Sequence, residues 1–327
     1  MIVTVSHRDD LHALAVQHAV RTRGSYDFHI VESDSISGRE GVSWNSHSEE
    51  EEGTPAATFL TSENVRIAVE DAELLWWRRP KMDQETTAHG GTTHERGLVN
   101  NDCRGALGGA LAATFRGQWI SPPQATDRAS DKLYQLSVAR EAGFRVPRTL
   151  VSQSREDVIA FSRRVGRTIV KPVVGARGPA LYTRWLDAPD TIPVSSFEIC
   201  PAMYQEYVEG RRHIRLNCFG EQMYAALIET DALDWRPDLN VPMSCWPIPD
   251  DLRRKVGTVL HRLGLRMGVI DLKLTPEGEP VWLEVNPQGQ FLFLEPLTGE
   301  PLTEHFADFL LSAAGTPRLR RSGEGGP

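Results

Sequence analysis

The chain has 327 residues, 40% hydrophobic and 24% charged; this is ordinary for a soluble globular protein but long for one core, so two or three lobes are expected. A formal charge of −8 argues against a nucleic-acid partner, since phosphate backbones are held by basic surfaces, but leaves room for a small phosphate site lined by a few Lys and Arg. Cys103, Cys200, Cys218 and Cys245 are widely spaced, no run is long enough to span a membrane, and MIVTVSHRDD lacks a secretion pattern, so a cytoplasmic protein without disulfides, zinc or membrane contact is expected.

Residues 2–5 read as a short buried strand. The helix after it runs from Asp9 through Arg21, with Leu11, Leu14, Ala15 and His18 at helical spacing. The stretch 33–55, rich in Ser, Gly and Glu and including the run Glu49–Glu52, reads as a mobile loop. Residues 58–60 and 65–69 form a hairpin, and 73–77 is a strand that runs into Arg78-Arg79-Pro80. A helix is expected over 95–116. This alternation suggests a small open α/β lobe, bounded by Ser121-Pro122-Pro123. A helix over 131–143 follows, then a strand at 149–152 and a helix opened by the capping signature Ser154-Arg155-Glu156-Asp157. Strands are expected at 168–171, 203–208, 213–219 and 222–229, and helices at 250–263 and 302–311. The tail from Thr316 reads as disordered.

The richest segment is a hairpin, Val269–Lys273, a turn at Thr275–Gly278, and Val281–Pro287. Alternate side chains of a strand share a face. Ile270, Leu272 and Leu274 therefore line one side of the first strand, and Asp271 and Lys273 the other. On the second strand Val281, Leu283 and Val285 face one way, and Trp282, Glu284 and Asn286 the other. A four-residue loop centred between Glu277 and Gly278 places Asp271 opposite Glu284, and a loop shifted by one step pairs it with Trp282 at the same parity. Two carboxylates and an amide oxygen are hard ligands suited to Mg²⁺ held with substrate phosphates. The other reading is a half-solvated sheet with an acidic face, although like charges directly opposite each other are destabilising without a counter-ion.

Two lysines could grip phosphates. Lys132 starts a helix, where the dipole already favours an anion. Lys171 ends a buried strand and precedes a loop containing Gly175 and Gly178, whose backbone N–H groups could meet phosphate oxygens. The strand through Gln205, Glu206, Tyr207 and Val208 either offers backbone groups to an adenine edge or is a plain edge strand. Arg215 lies on the polar face of the next strand, with His213 and Asn217, and could neutralise developing phosphate or acyl-phosphate charge.

The order of Lys132, IVKPVVGARG, YQEYVEG, RHIRLN and IDLKL…WLEVNPQGQ resembles the ATP-grasp superfamily. WWRRP at 76–80, ALDWR at 232–236 and EVNPQGQFLFLEPLTGEPL at 284–302 resemble its microviridin-type branch, the graspetide peptide ligases. The resemblance runs from about residue 2 to 314. It implies an α/β (α+β) ATP-grasp fold: an N-terminal open α/β pre-ATP-grasp lobe over 1–120, a central lid over 121–200, and a C-terminal ATP-binding lobe over 201–315. The implied activity is ADP-forming. ATP converts an Asp or Glu side chain of a ribosomal precursor peptide into an acyl phosphate, and a Lys amine or Ser/Thr hydroxyl of the same peptide closes an ω-amide or ω-ester ring.

Carried over position by position, the resemblance puts Mg²⁺, two ions in all, on Asp271, Glu284 and Asn286. Lys132 and Lys171 contact the ATP phosphates, Gln205 to Val208 form the adenine strand, and Arg215 faces the transferring phosphoryl group, with Lys171, as a catalytic cation. An acidic ribose ligand is usual near the position held here by His213, so Glu209 is the substitute. Arg78, Arg79, Asp234, Trp235 and Arg236 touch the peptide or hold lobes together; for Arg78 a structural pairing with an acid is the equal alternative. The partner is a precursor peptide with a leader and a core carrying acids and hydroxyls or lysines, and the enzyme could be a homodimer. Two other readings stay open: an ATP-grasp ligase joining a free amino acid or amine to a peptide, and a non-catalytic nucleotide-binding regulator.

Overall fold

The computed structural model describes residues 1–24, 26–47, 54–84, 92–174 and 181–315. The charge run Glu49–Glu52, the glycine loop 175–178 and the tail from Thr316 lie outside the described residues. The chain forms two compact units, one of Met1–Ile120 with the chain from Thr303 onward, the other Ser121–Leu302.

The first unit contains β1 (Ile2–Ser6), α1 (Leu11–Thr22), β2 (Phe28–Glu32), β3 (Val42–Trp44), β4 (Ala57–Leu60), β5 (Arg66–Ala68), β6 (Leu74–Trp77), α2 (Thr93–Thr114) and β7 (Gln118–Ile120). Strands β2-β1-β6-β7 form a parallel sheet, and β3-β4-β5 a small antiparallel one. All five residues of β1 are buried, as a central parallel strand requires. Strand β3 sits inside the stretch expected to be loop. Three residues are too few to show a period, and Val42–Trp44 are extended because they pair with β4. The C-terminal helix closes this unit, with Phe306 against Trp76 at 4.7 Å between ring centroids and the Ala313 carbonyl accepting from Gln118 Nε2 at 2.8 Å.

The second unit contains α3 (Pro123–Ala129), α4 (Lys132–Glu141), β8 (Thr149–Ser152), α5 (Arg155–Val165), β9 (Thr168–Pro172), β10 (Arg184–Trp185), α6 (Val194–Glu198), β11 (Ala202–Glu206), β12 (Arg212–Phe219), β13 (Gln222–Glu229), β14 (Met243–Cys245), α7 (Asp250–Leu263), β15 (Met267–Leu274), β16 (Pro280–Asn286) and α8 (Glu295–Thr298). It carries two antiparallel sheets, β10-β9-β11-β8 and β14-β13-β12-β15-β16. Strand β11 belongs to the first, so the changeover between sheets falls after Glu206 rather than at 200.

In the first of these sheets Val170 and Tyr204 pack with Val158 and Phe161 of α5 and with Phe197. Alternation then turns Lys171, Met203 and Gln205 to the other face. In the second, Ile214, Leu216, Ile270, Leu272, Leu274, Trp282 and Val285 form a core with α3, α4 and α7. Helix α7 supplies Leu252, Val256, Val259, Leu260 and Leu263 at helical spacing and stops at Gly264, whose φ of +72° suits the left-handed end.

The β15–β16 hairpin departs from simple alternation. Asp271 pairs with Glu284 as expected, but Leu272 pairs with Trp282, so Leu283 is the extra residue of a β-bulge. The bulge reverses the expected sides of Trp282 and Leu283. The Trp282 indole is fully buried beside Phe144 at 5.1 Å, whereas Leu283, expected beside Val281 and Val285, lines the polar side with Glu284. Full burial of a ring this size is worth about 2–3 kcal/mol.

Candidate active site

The polar face of the five-stranded sheet is a grid. Its middle row crosses three strands in register, Arg215 on β12, Asp271 on β15 and Glu284 on β16. The rows on either side hold His213 with Lys273 and Asn217 with Val269 and Asn286. A chamber of about 270 Å³ opens over the grid, lined by Lys132, Lys171, Thr183, His213, Asp234, Trp235, Arg236, Asp271, Leu283 and Glu284, among others. A smaller cavity of about 70 Å³ adjoins it, sharing Lys171, Thr183, His213 and Leu283 and adding Gln205, Glu206, Tyr207, Val208 and Lys273.

Helix α4 brings Lys132 to the chamber through Gln135. The Gln135 amide donates to the carbonyls of Ala129 (2.6 Å) and Val285 (2.8 Å) and accepts from Val285 N–H (2.9 Å), which staples the helix to the open edge of β16. Lys132 lies three residues earlier on the same helix face, and its Nζ reaches Glu284 Oε2 at 3.1 Å. Asp131 caps the helix by accepting from Leu133 and Tyr134. Lys171 enters from the other sheet. Desolvation, with Lys132 nearby, lowers its ammonium to about 8, and Glu284 opposes the shift.

Arg215 Nη1 donates to both oxygens of Asp271 (2.9 and 3.1 Å), and Nη2 to the Gln290 carbonyl (3.0 Å). Arg215 is not among the residues that line the chamber. Burial pushes the Asp271 carboxyl above its ordinary value, with Arg215 opposing and Glu284 adding. Glu284 is desolvated too, but Lys132 and Lys171 hold it below. Unequal acids are what two facing carboxylates require, because the second negative charge is costly beside the first. A divalent cation would remove that cost.

Among the described residues no cluster of three or more His, Cys, Asp or Glu could hold a metal by itself. Two carboxylates face to face, with cations beyond them, nevertheless fit Mg²⁺ shared with a polyphosphate, which supplies the remaining oxygens. Asn286 stands one step further along the same strand. It is exposed at the end of β16, and its Oδ1 accepts from Gln288 N–H at 3.0 Å.

The smaller cavity is bounded by β11. Gln205 donates to Thr149 Oγ1 at 2.9 Å, and Glu206 is ion-paired with Arg148. Tyr207 N–H is used by Arg167, while Val208 N–H has no partner among the described residues. His213 is 6% exposed, its Nε2 has no partner among the described residues, and burial, with Lys273 nearby, lowers the imidazole to about 4. Glu209 does not line either cavity; its carboxylate is held by Arg167 at 3.0 Å, which leaves the ribose role without support.

Asp234 and Arg236 chelate each other (Nε–Oδ1 2.8 Å, Nη2–Oδ2 2.5 Å), and Thr183 N–H donates to Asp234 at 3.2 Å. Arg78 and Arg79 belong to the first unit. Arg78 is fully buried, with Nε 3.2 Å from Asp10 Oδ2 and the Trp76 ring 5.7 Å from its Cζ. Burial lowers its guanidinium to about 10 against the pull of Asp10. The structural alternative for Arg78 is thus the one with contacts. Sequence reasoning missed Gln135 and Thr183, and it gave Lys273 no role beyond its place on the strand face shared with Asp271.

No protein-family model matches the chain, and no curated protein matches it by sequence. Solved structures match it along almost its whole length. The Chryseobacterium gregarium RiPP-associated ATP-grasp ligase in complex with ADP and a leader and core peptide has a TM-score of 0.82 at 22% identity, over 97% of this chain and 97% of that one. The macrocyclase MdnC bound with precursor peptide MdnA, from Microcystis aeruginosa, gives 0.78 at 21%, over 95% and 99%. The ATP-grasp ligase PsnB complexed with minimal precursor, Mg and ADP gives 0.78 at 22%, over 96% and 97%. The chain therefore has the mixed α/β fold of ATP-grasp ligases, as the order of its motifs implied.

Proposed function

We propose that this chain is an ATP-dependent, ADP-forming ligase that activates Asp or Glu side chains of a ribosomal precursor peptide and closes ω-ester or ω-amide rings. One observation carries the reading. The facing pair Asp271 and Glu284 shares a chamber with Lys132, Lys171 and Arg236, beside a smaller cavity lined by Val208, whose N–H has no partner among the described residues. The solved structures of similar fold, complexed with ADP, Mg and precursor peptides, support the same assignment.

Bound at Asp271 and Glu284, Mg²⁺ supplies charge neutralisation to the transferring phosphoryl group. Lys132 and Lys171 hold phosphate oxygens, and Gln205 to Val208 hold the base. A peptide carboxylate oxygen attacks the terminal phosphorus, the bond to the bridging oxygen breaks, and ADP leaves. Arg236, fixed by Asp234, faces the negative charge of the acyl phosphate. An amine or hydroxyl of the same peptide then attacks the acyl carbon, loses a proton, and expels phosphate with the bonding electron pair. Walls made of Leu233, Leu283 and Trp235 limit water, the competing nucleophile.

The test is mass spectrometry of a candidate precursor, a short peptide rich in Asp or Glu and in Ser, Thr or Lys sought beside the gene, after incubation with enzyme, ATP and Mg²⁺. Each ring appears as the loss of one water per ATP converted to ADP. Addition of a free amino acid's mass would favour the intermolecular ligase, and an unchanged peptide with no ADP would reject both.

A further inference from the structure

We infer that Phe293 and Trp235 are positioning residues, forming with the Gln290 carbonyl a cradle that fixes the Arg215 guanidinium and, through it, the Asp271 carboxylate. The inference rests on the proposed Mg²⁺–nucleotide site. The cradle is built by the turn after β16. Gly289 passes so close to β15 that a Cβ there would lie 2.3 Å from Val269 Cβ, so the chain is pinned to the sheet at that point. Phe291 and Leu294 are fully buried, Phe291 against Phe219 at 5.3 Å, which anchors the residues between them. Phe293 is thereby held over Arg215 with its centroid 5.6 Å from Cζ.

Trp235 arrives from the segment after β13 and lies at the same 5.6 Å, with the two rings stacked 5.9 Å apart at 29°. Aromatic faces at this range attract a guanidinium, and more strongly once it is desolvated. Arg215 is 8% exposed, Nη2 is spent on Gln290, and Nη1 holds both Asp271 oxygens. Nε is buried without a partner among the described residues, so nothing on that side competes with the rings for the orientation of the plane. Trp235 is itself 8% exposed, which leaves little of its ring for a peptide. Carboxylates of a metal site need such outer support to hold their aim.

The experiment titrates Mg²⁺ into protein with a saturating non-hydrolysable ATP analogue and follows binding by calorimetry, for wild type, Phe293→Leu and Phe293→Tyr, with melting temperature as the control. Phe293→Leu is expected to melt like wild type but to need about tenfold more Mg²⁺ for half-saturation, and Phe293→Tyr to restore the wild-type value. Trp235→Leu and Trp235→Phe form a second pair with the same expected pattern. Wild-type Mg²⁺ dependence in both leucine variants overturns the inference, as does failure of Tyr and Phe to rescue. Nucleotide binding by wild type with no Mg²⁺ dependence overturns the metal reading itself.

Discussion

His213 sits where a carboxylate was expected to meet a ribose, and its burial makes it a neutral group at pH 7. Its folded-state value of about 4 lies below the ordinary 6.5. Above pH 6.5 neither folded nor unfolded chain binds the proton, so there is no contribution to the pH dependence. Between 6.5 and 4 the unfolded chain takes it up and the folded one does not, so stability falls across that window. Urea titrations at pH 7.5 and 4.5 are expected to show this loss, and His213→Gln to reduce it. Arg78 makes a different point. As one half of a buried pair with Asp10, it is predicted to cost about 3 kcal/mol on replacement by Ala, since Asp10 is left charged and buried. A denaturant midpoint within error of wild type would return Arg78 to the list of surface contacts. From the sequence Arg78 could be either; the residue type is the same in both roles, and only its burial separates them.

Two elements carry the chamber, and each was half legible. Helix α4 was readable from Leu133, Leu136, Val138 and Ala139, but its attachment was not, because Gln135 reads as a surface residue until β16 is placed beside it. Gln135→Ala is predicted to destabilise by about 2 kcal/mol, leaving Val285 N–H and C=O without their partner. It should also lower turnover, because Lys132 loses its register against Glu284. Loss of stability with full turnover would show that Lys132 is placed some other way. The β15–β16 hairpin was readable by parity as far as the Asp271–Glu284 pair. Parity then failed at Trp282, because a bulge buries an indole that strict alternation would have left beside the carboxylates. That trade depends on Phe144 and helices α4 and α7, which lie far along the chain.

At the scale of the whole molecule the acidic balance of −8 gives no sign of the site's local charge. Lys132, Lys171 and Arg236 match Asp234, Asp271 and Glu284 along the described chamber wall, so the acidic excess lies elsewhere. Glu284→Gln is predicted to abolish ATP turnover while leaving the melting temperature within a few degrees of wild type, since the side chain is at the rim of the core and not in it. Wild-type turnover in this variant would remove the carboxylate pair from the mechanism. Among the described residues no helix is long and apolar enough to cross a membrane. The sequence by itself determined the order of strands and helices and the facing of Asp271 and Glu284, because side-chain type and two- or fourfold spacing are local properties. Tertiary structure decided which acid each cation meets: Arg78 with Asp10, Arg167 with Glu209, Lys132 with Glu284, Arg215 with Asp271. Those choices turn on desolvation and register between segments distant in the chain, and no local pattern records them.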